Sequence, residues 1–259
     1  MASTGFSLVK WYLDCVTAPG EAAILYSARM RWRATRLAYS SLIWGDGATT
    51  RTSSSMRSAR VTPGGQSIAV DAPQLGLEGQ WTAAAAPIEL TVYENASGSV
   101  LWNCLQPAAM VRLTVGGREM TGFGYAECLT LTLPPGQLPM RHLKWGRFVS
   151  EKDALVWIDW QGPYSTSIAV HNGSKLANPS ISDAEISCGG MTLRLQEPAS
   201  LHSGRVGETT FPGAPALAKV FPKSLFNIDE RKWRSRGILE TPNHESRGWV
   251  IHEAVDWNL

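Results

Sequence analysis

The 259 residues carry 44% hydrophobic and 18% charged side chains and a formal net charge of +2. That balance belongs to a globular chain long enough for one large or two small domains. No dense Lys/Arg block supports nucleic-acid binding. No run of about 18 apolar residues supports a membrane span, although peripheral contact stays open.

The opening "MASTGFSLVKWYLDC" lacks the basic-then-apolar pattern of a secretory leader, so the expected location is cytoplasmic. "AAILYSARMRW" alternates: Tyr26, Ala28, Met30 and Trp32 share one face, and Ser27, Arg29, Arg31 and Arg33 share the other. "RLAYSSLIW" follows a tight turn near Ala34–Thr35, which predicts an antiparallel hairpin with a solvated arginine stripe. "GDGATTRTSSSMRS" reads as a polar loop. Further short strands run through "QSIAVDAP", "LEGQWTAAAAPIELTVYE" and "SVLWNCLQPAAMVRLTV" to a turn at Gly116–Gly117.

Beyond that turn, strands are predicted in "YAECLTLTL", "LKWGRFVS", "ALVWIDWQG", "SIAVHNG", "EISCGGMTLRLQ" and "GWVIHEAVDW". A short helix is expected within "AKVFPKSLFNIDERKWRS". The expected fold class is all-β, with two antiparallel β domains at residues 1–117 and 118–259. Strand–helix alternation, which a Rossmann or TIM fold needs, is missing.

P-loop, GxGxxG, GxSxG and HExxH patterns are absent, so no cofactor is implied. Four cysteines without CxxC spacing and five scattered histidines predict no zinc site and no disulfide framework. Three carboxylates stand out instead. Glu127 shares a strand face with Tyr125, Leu129, Leu131 and Leu133, where an unpaired charge is costly. Asp159 alternates with Leu155 and Trp157 and is bracketed by Trp157 and Trp160, and Asp14 shares its face with Tyr12. A carboxylic acid among aromatics can hold a proton near neutral pH and give it to an alkene or carbonyl. The competing reading is a structural ion pair, with Arg147 the expected partner of Glu127. The eleven tryptophans serve either as packing or as the lining of an apolar cavity.

"KWYLD", "GFGYAECLTL", "LPMRHLKWGRF", "LVWIDWQG" and "GWVIHEAVDW" resemble the carotenoid hydratase (hydroxyneurosporene synthase) and tocopherol-cyclase-like superfamily. The resemblance implies two lipocalin-like β-barrel domains with a hydrophobic cavity at or near their junction. It also implies hydration or cyclisation of isoprenoid double bonds, or pericyclic cyclisation as in related fungal enzymes. Glu127 falls where such enzymes carry acidic or histidine residues, but Ala126–Glu127 replaces their His/Asp-rich run. The expectation is acid catalysis by Glu127 on an isoprenoid or polyketide-type substrate. Tyr125, Trp145, Arg147, Trp157, Asp159 and Trp160 would form the substrate-binding set, without metal or redox cofactor. A non-enzymatic lipid or pigment carrier is the alternative, and fold does not choose between them.

Overall fold

The computed structural model describes residues 5–46, 48–206 and 228–257. Contacts divide the chain into two compact units, Met1–Leu138 and Pro139–Leu259. Among the described residues, strands dominate both, and two 3-10 turns are the short exceptions. No helix there is long and apolar enough to cross a membrane.

The first unit is one antiparallel sheet built from β1 (Phe6–Thr17), β2 (Ala22–Trp32), β3 (Thr35–Gly45), β4 (Thr50–Ser55), β5 (Arg60–Gly64), β6 (Ser67–Ala72), β7 (Leu77–Ala83), β8 (Ile88–Asn95), β9 (Gly98–Val115) and β10 (Arg118–Leu131). Its order is β4-β3-β2-β1-β10-β9-β7-β6-β5, with β8 also on β9. The second unit comprises β11 (His142–Val149), β12 (Ala154–Gln161), β13 (Thr166–His171), β14 (Ser174–Leu176), β15 (Ser180–Ile181), β16 (Glu185–Cys188), β17 (Met191–Arg205), β18 (Ile228–Glu240) and β19 (Glu245–Trp257). These are ordered β14-β13-β12-β11-β19-β18-β17-β16-β15. The all-β, two-unit expectation holds.

The β2–β3 hairpin forms with Trp32 opposite Thr35 and Arg33 in the left-handed region at φ 53°. Arg29, Arg31 and Arg33 are exposed, as the solvated stripe requires. The polar stretch expected as a loop contributes β4, which pairs with β3 at the sheet edge and stays mostly exposed. An edge strand needs only half its backbone groups paired and no apolar face, so its composition resembles a loop. The expected helix in "AKVFPKSLFNIDERKWRS" lies partly outside the described residues, and from Ile228 onward that stretch is β18.

The Gly116–Gly117 turn does not separate the two units. It is the two-residue turn of the β9–β10 hairpin, with Val115 opposite Arg118 and both glycines at positive φ. β10 then completes the first sheet between β9 and β1. The division falls between Leu138 and Pro139 rather than after Gly117. A turn signal shows where a chain reverses, and only strand pairing shows to which sheet the returning strand belongs.

Each unit has an apolar core cluster. In the first, Leu13, Cys15, Leu25, Leu42, Trp81, Val111 and Ala126 belong to one core. In the second, Phe148, Leu155, Trp157, Leu193, Leu239 and Val250 do so. Cys15, Cys104 and Cys188 are buried, Cys128 is half-buried, and all four are free thiols. Burial raises Cys128 to about 11 and Cys188 above its ordinary value, which keeps both protonated at neutral pH.

Candidate active site

In the middle of β1, β2 and β10 both sheet faces are buried. Leu13 stands opposite Leu25 and Ala126 on the core face. One residue along, Tyr12 stands opposite Glu127 and Tyr26, and Asp14 opposite Tyr125 and Ile24, on the other face. Period-2 alternation therefore collects two carboxylates and three tyrosines on the face opposite the Leu13–Ala126 cluster.

The sequence motifs Tyr-x-Asp on β1 and Tyr-x-Glu on β10 run antiparallel in register, so their acids lie diagonally across the pair. Each tyrosine donates along its own strand. Tyr12 Oη bonds Asp14 Oδ2 at 3.0 Å, and Tyr125 Oη bonds Glu127 Oε2 at 2.6 Å. The rings of Tyr12 and Tyr125 meet edge to face at 5.9 Å, and those of Tyr12 and Tyr26 at 5.2 Å.

Glu127 receives a second donor from β9: Trp102 Nε1 lies 2.5 Å from the same Oε2. Glu127 is 8% exposed, against 0% for Asp14. Both donors converge on one oxygen of the carboxyl. Burial first, then the neighbouring Cys104 and Glu127, push the Tyr125 phenol well above its ordinary value, which leaves it a hydrogen-bond donor at neutral pH. Burial likewise holds Cys104 as a thiol.

A bulge sets this geometry. Gly124 pairs with Ala109 and Glu127 with Cys104, so β9 spends two more residues than β10 over that stretch. Pro107, which has no N–H to give a ladder, sits within the excess. On the core face Gly124 leaves no room for a side chain: a Cβ there would lie 2.0 Å from the Asp14 carbonyl oxygen and 2.6 Å from Val111 Cγ2. The "GFGYAE" spacing thus brings the β1 and β10 backbones close beside the Tyr–acid pairs.

The sequence-predicted residues of the second unit fall on two faces of its sheet. Trp145 and Arg147 alternate with Gly146 and Phe148, and Phe148 belongs to the core. Trp157, opposite Gly146, is also a core residue; a Cβ on Gly146 would stand 2.2 Å from its ring. Asp159 shares the Trp157 side and accepts from Ser167 Oγ and Gln161 Nε2, each at 2.6 Å. Trp145, Arg147 and Trp160 lie on the opposite face, all buried. Arg147 Nη1 donates to the Trp249 carbonyl at 3.0 Å. The Trp249 ring in turn lies against the guanidinium carbons of Arg234 and Arg236, at 4.7 and 4.5 Å.

Three groups escaped sequence reasoning. Trp102 is one of eleven tryptophans, and nothing short of the β9–β10 register marks it as the donor to Glu127. Lys232 is 1% exposed and pairs with Glu230 and, at 3.0 Å, with Glu253. Alternation along "DERKWRS" places Glu230, Lys232 and Arg234 on one face, which is the signal that could have found it. Asp153 is buried beside His171 and His244, each at 2.8 Å, and accepts from Ser246. Burial opposes its ionisation, but the bonds from Ser246, His244 and His171 outweigh that and hold its pKa at about 2. Here the histidines come from different strands or loops, so no local spacing announces them.

No family model matches the sequence, and no curated protein matches it. Solved structures do share the fold. CghA matches with a TM-score of 0.60 at 12% identity, over 96% of this chain and 88% of that one. A putative AttH from Nitrosomonas europaea matches with a TM-score of 0.59 at 8% identity, over 97% and 92%. Kievitone hydratase from Nectria haematococca matches with a TM-score of 0.54 at 11% identity, over 99% and 91%. The likeness spans nearly the whole chain and establishes a shared two-unit, lipocalin-like β architecture.

Proposed function

We propose that this protein is a hydratase- or cyclase-type enzyme that transfers a proton to a largely apolar substrate of isoprenoid or polyketide type. One observation carries the reading. Trp102 and Tyr125 both donate to Oε2 of a buried glutamate on the sheet face opposite the Leu13–Ala126 cluster. Packing alone gives no reason to place a carboxyl there and supply it with two converging donors. Glu127 protonates an alkene or carbonyl group and takes a proton back when water adds or a ring closes. Tyr125 and Trp102 hold the carboxyl in one orientation throughout. The faces of Tyr12 and Tyr26 offer π density to positive charge developing on the substrate.

The likeness to a hydratase supports the reaction class, and CghA, whose structure with Sch210972 also matches at a TM-score of 0.56, supports a small-molecule ligand. In the second unit Trp157 and Asp159 belong to packing, Trp157 in the core and Asp159 bonded to Ser167 and Gln161. The test is Glu127→Gln. Glutamine accepts the same two donors, so the fold and ligand capture survive, and turnover of the compound that co-purifies with wild type, identified by mass spectrometry, falls by at least about a hundredfold. Unchanged turnover would exclude Glu127 as the acid. A bound compound that wild type never alters would make the protein a carrier.

A further inference from the structure

One end of the first sheet gathers arginines. Across the β2–β3 hairpin Arg31 stands directly opposite Arg36, and Arg29 stands between Val9 of β1 and Ala38 of β3. Arg33 sits at the hairpin tip beyond them. The run 56–59 brings Arg57 to the same end. It is stitched down where Ser27 Oγ donates to the Ala59 carbonyl at 3.3 Å, Ser40 Oγ to the Arg57 carbonyl at 2.6 Å, and Arg29 Nε to Ser58 Oγ at 3.1 Å. All five arginines are exposed.

The strands that carry them supply no acid. β2, β3, β4, the run 56–59 and β1 as far as Leu13 contain neither Asp nor Glu. Glu21 and Asp46 flank the other end of β2 and β3, where Ala22 pairs with Gly45, about 30 Å along the strands. That is several Debye lengths at physiological salt, and Glu21 already holds Arg118 at 2.7 Å. The second unit treats its surface differently: exposed Arg194, Arg231, Arg236 and Arg247 each pair with an acid. Placing Arg31 opposite Arg36 works against the hairpin, because like charges in directly opposed positions repel. Folding alone gives no reason for that pair, whereas an external anion does. Two apolar side chains are also exposed at this end, Val9 opposite Arg29 and Met56 next to Arg57.

We propose that this end of the first unit docks on a bilayer surface rich in anionic lipid. The guanidinium groups meet lipid phosphates, and Val9 and Met56 enter the boundary between headgroups and acyl chains. Apolar side chains among the arginines favour a bilayer over a nucleic acid, which offers no acyl layer for them to enter. The surface is separate from the Tyr125–Glu127 pair and does not depend on its chemistry. Only the advantage of meeting an apolar substrate in the bilayer rests on the proposed function.

The full chain is sedimented with vesicles of phosphatidylcholine, alone or with about 30 mol% phosphatidylglycerol. Binding should need the anionic lipid and fall steeply as salt rises from about 0.05 to about 0.5 M. Arg31→Glu should weaken it at least about tenfold. That variant should not melt earlier, because a glutamate opposite Arg36 replaces repulsion by attraction. Arg36→Glu makes the same change from the other strand and serves if Arg31→Glu does not fold. Met56→Ser, which alters no charge, should weaken binding about threefold or more. Arg247→Glu on the second unit and Glu127→Gln should bind like wild type, and inorganic phosphate at the lipid phosphate concentration should displace nothing. Equal binding to neutral vesicles, no binding at low salt, full binding by the Arg31→Glu and Arg36→Glu variants, or tighter capture by duplex DNA of equal phosphate content would overturn the proposal.

Discussion

Removing the Tyr125 hydroxyl tests whether the two donors on Glu127 act as one unit. Tyr125→Phe keeps the ring and its edge-to-face contact with Tyr12 while deleting the 2.6 Å bond to Oε2. Trp102 continues to donate to that oxygen, so the carboxyl is not orphaned, and the Cys104 thiol loses its Tyr125 partner as well. For a buried charged acceptor the lost bond to Glu127 is about 2 kcal/mol, and for a neutral one about 1 kcal/mol. Glu127→Gln retains an acceptor for both donors but must place two new N–H groups in a buried setting, at about 1–2 kcal/mol. If tyrosine and glutamate interact as the geometry shows, the double variant Tyr125→Phe/Glu127→Gln is less destabilised than the sum of the singles by about 1 kcal/mol. Urea unfolding of the four proteins, followed by circular dichroism in the strand region, measures the cycle. Additivity within about 0.3 kcal/mol would mean that Tyr125 bonds the glutamine as strongly as the glutamate, and a charged acceptor at this position would be excluded.

Gly124→Ala should cost about 3 kcal/mol or more, or prevent folding, because its Cβ collides with the Asp14 backbone 2.0 Å away rather than with a movable side-chain end; a soluble variant with wild-type melting would show that β1 and β10 can separate cheaply. Asp153 governs acid stability. Its folded pKa of about 2 lies below the ordinary value of 3.8, so its contribution, about 2 kcal/mol, is present above pH ~4 and is lost as pH falls towards ~2. Melting temperature against pH should therefore drop over that window in wild type and less steeply in Asp153→Asn; parallel curves would refute it. His252 is held neutral by burial, with a pKa of about 4, and its imidazole resonances should titrate there. A midpoint near ~6.5, the unperturbed value, would contradict the packing against Trp233.

Local information decided much of the fold. Alternation marked most strands because a sheet face is set by parity alone, and the Gly116–Gly117 reversal was legible because a two-residue hairpin demands positive φ, whereas the β2–β3 turn, read near Ala34–Thr35, lies one residue earlier at Arg33–Ala34. Parity also put Tyr125 with Glu127 and Tyr12 with Asp14, so half of the candidate site was readable along single strands. Which face became the core was not. The face bearing Gly122, Gly124 and Ala126 looks the weaker apolar one in sequence, yet Ala126 packs in the core because small residues there admit Trp81 and the close β1 backbone. Strand pairing decided the rest: that β10 closes the first sheet, that Trp102 reaches Glu127 from a strand 25 residues away, and that Trp157 and Trp145 face opposite ways across one sheet. Register between distant strands depends on bulges, crossings and packing summed over the whole unit, and no window of sequence contains that sum.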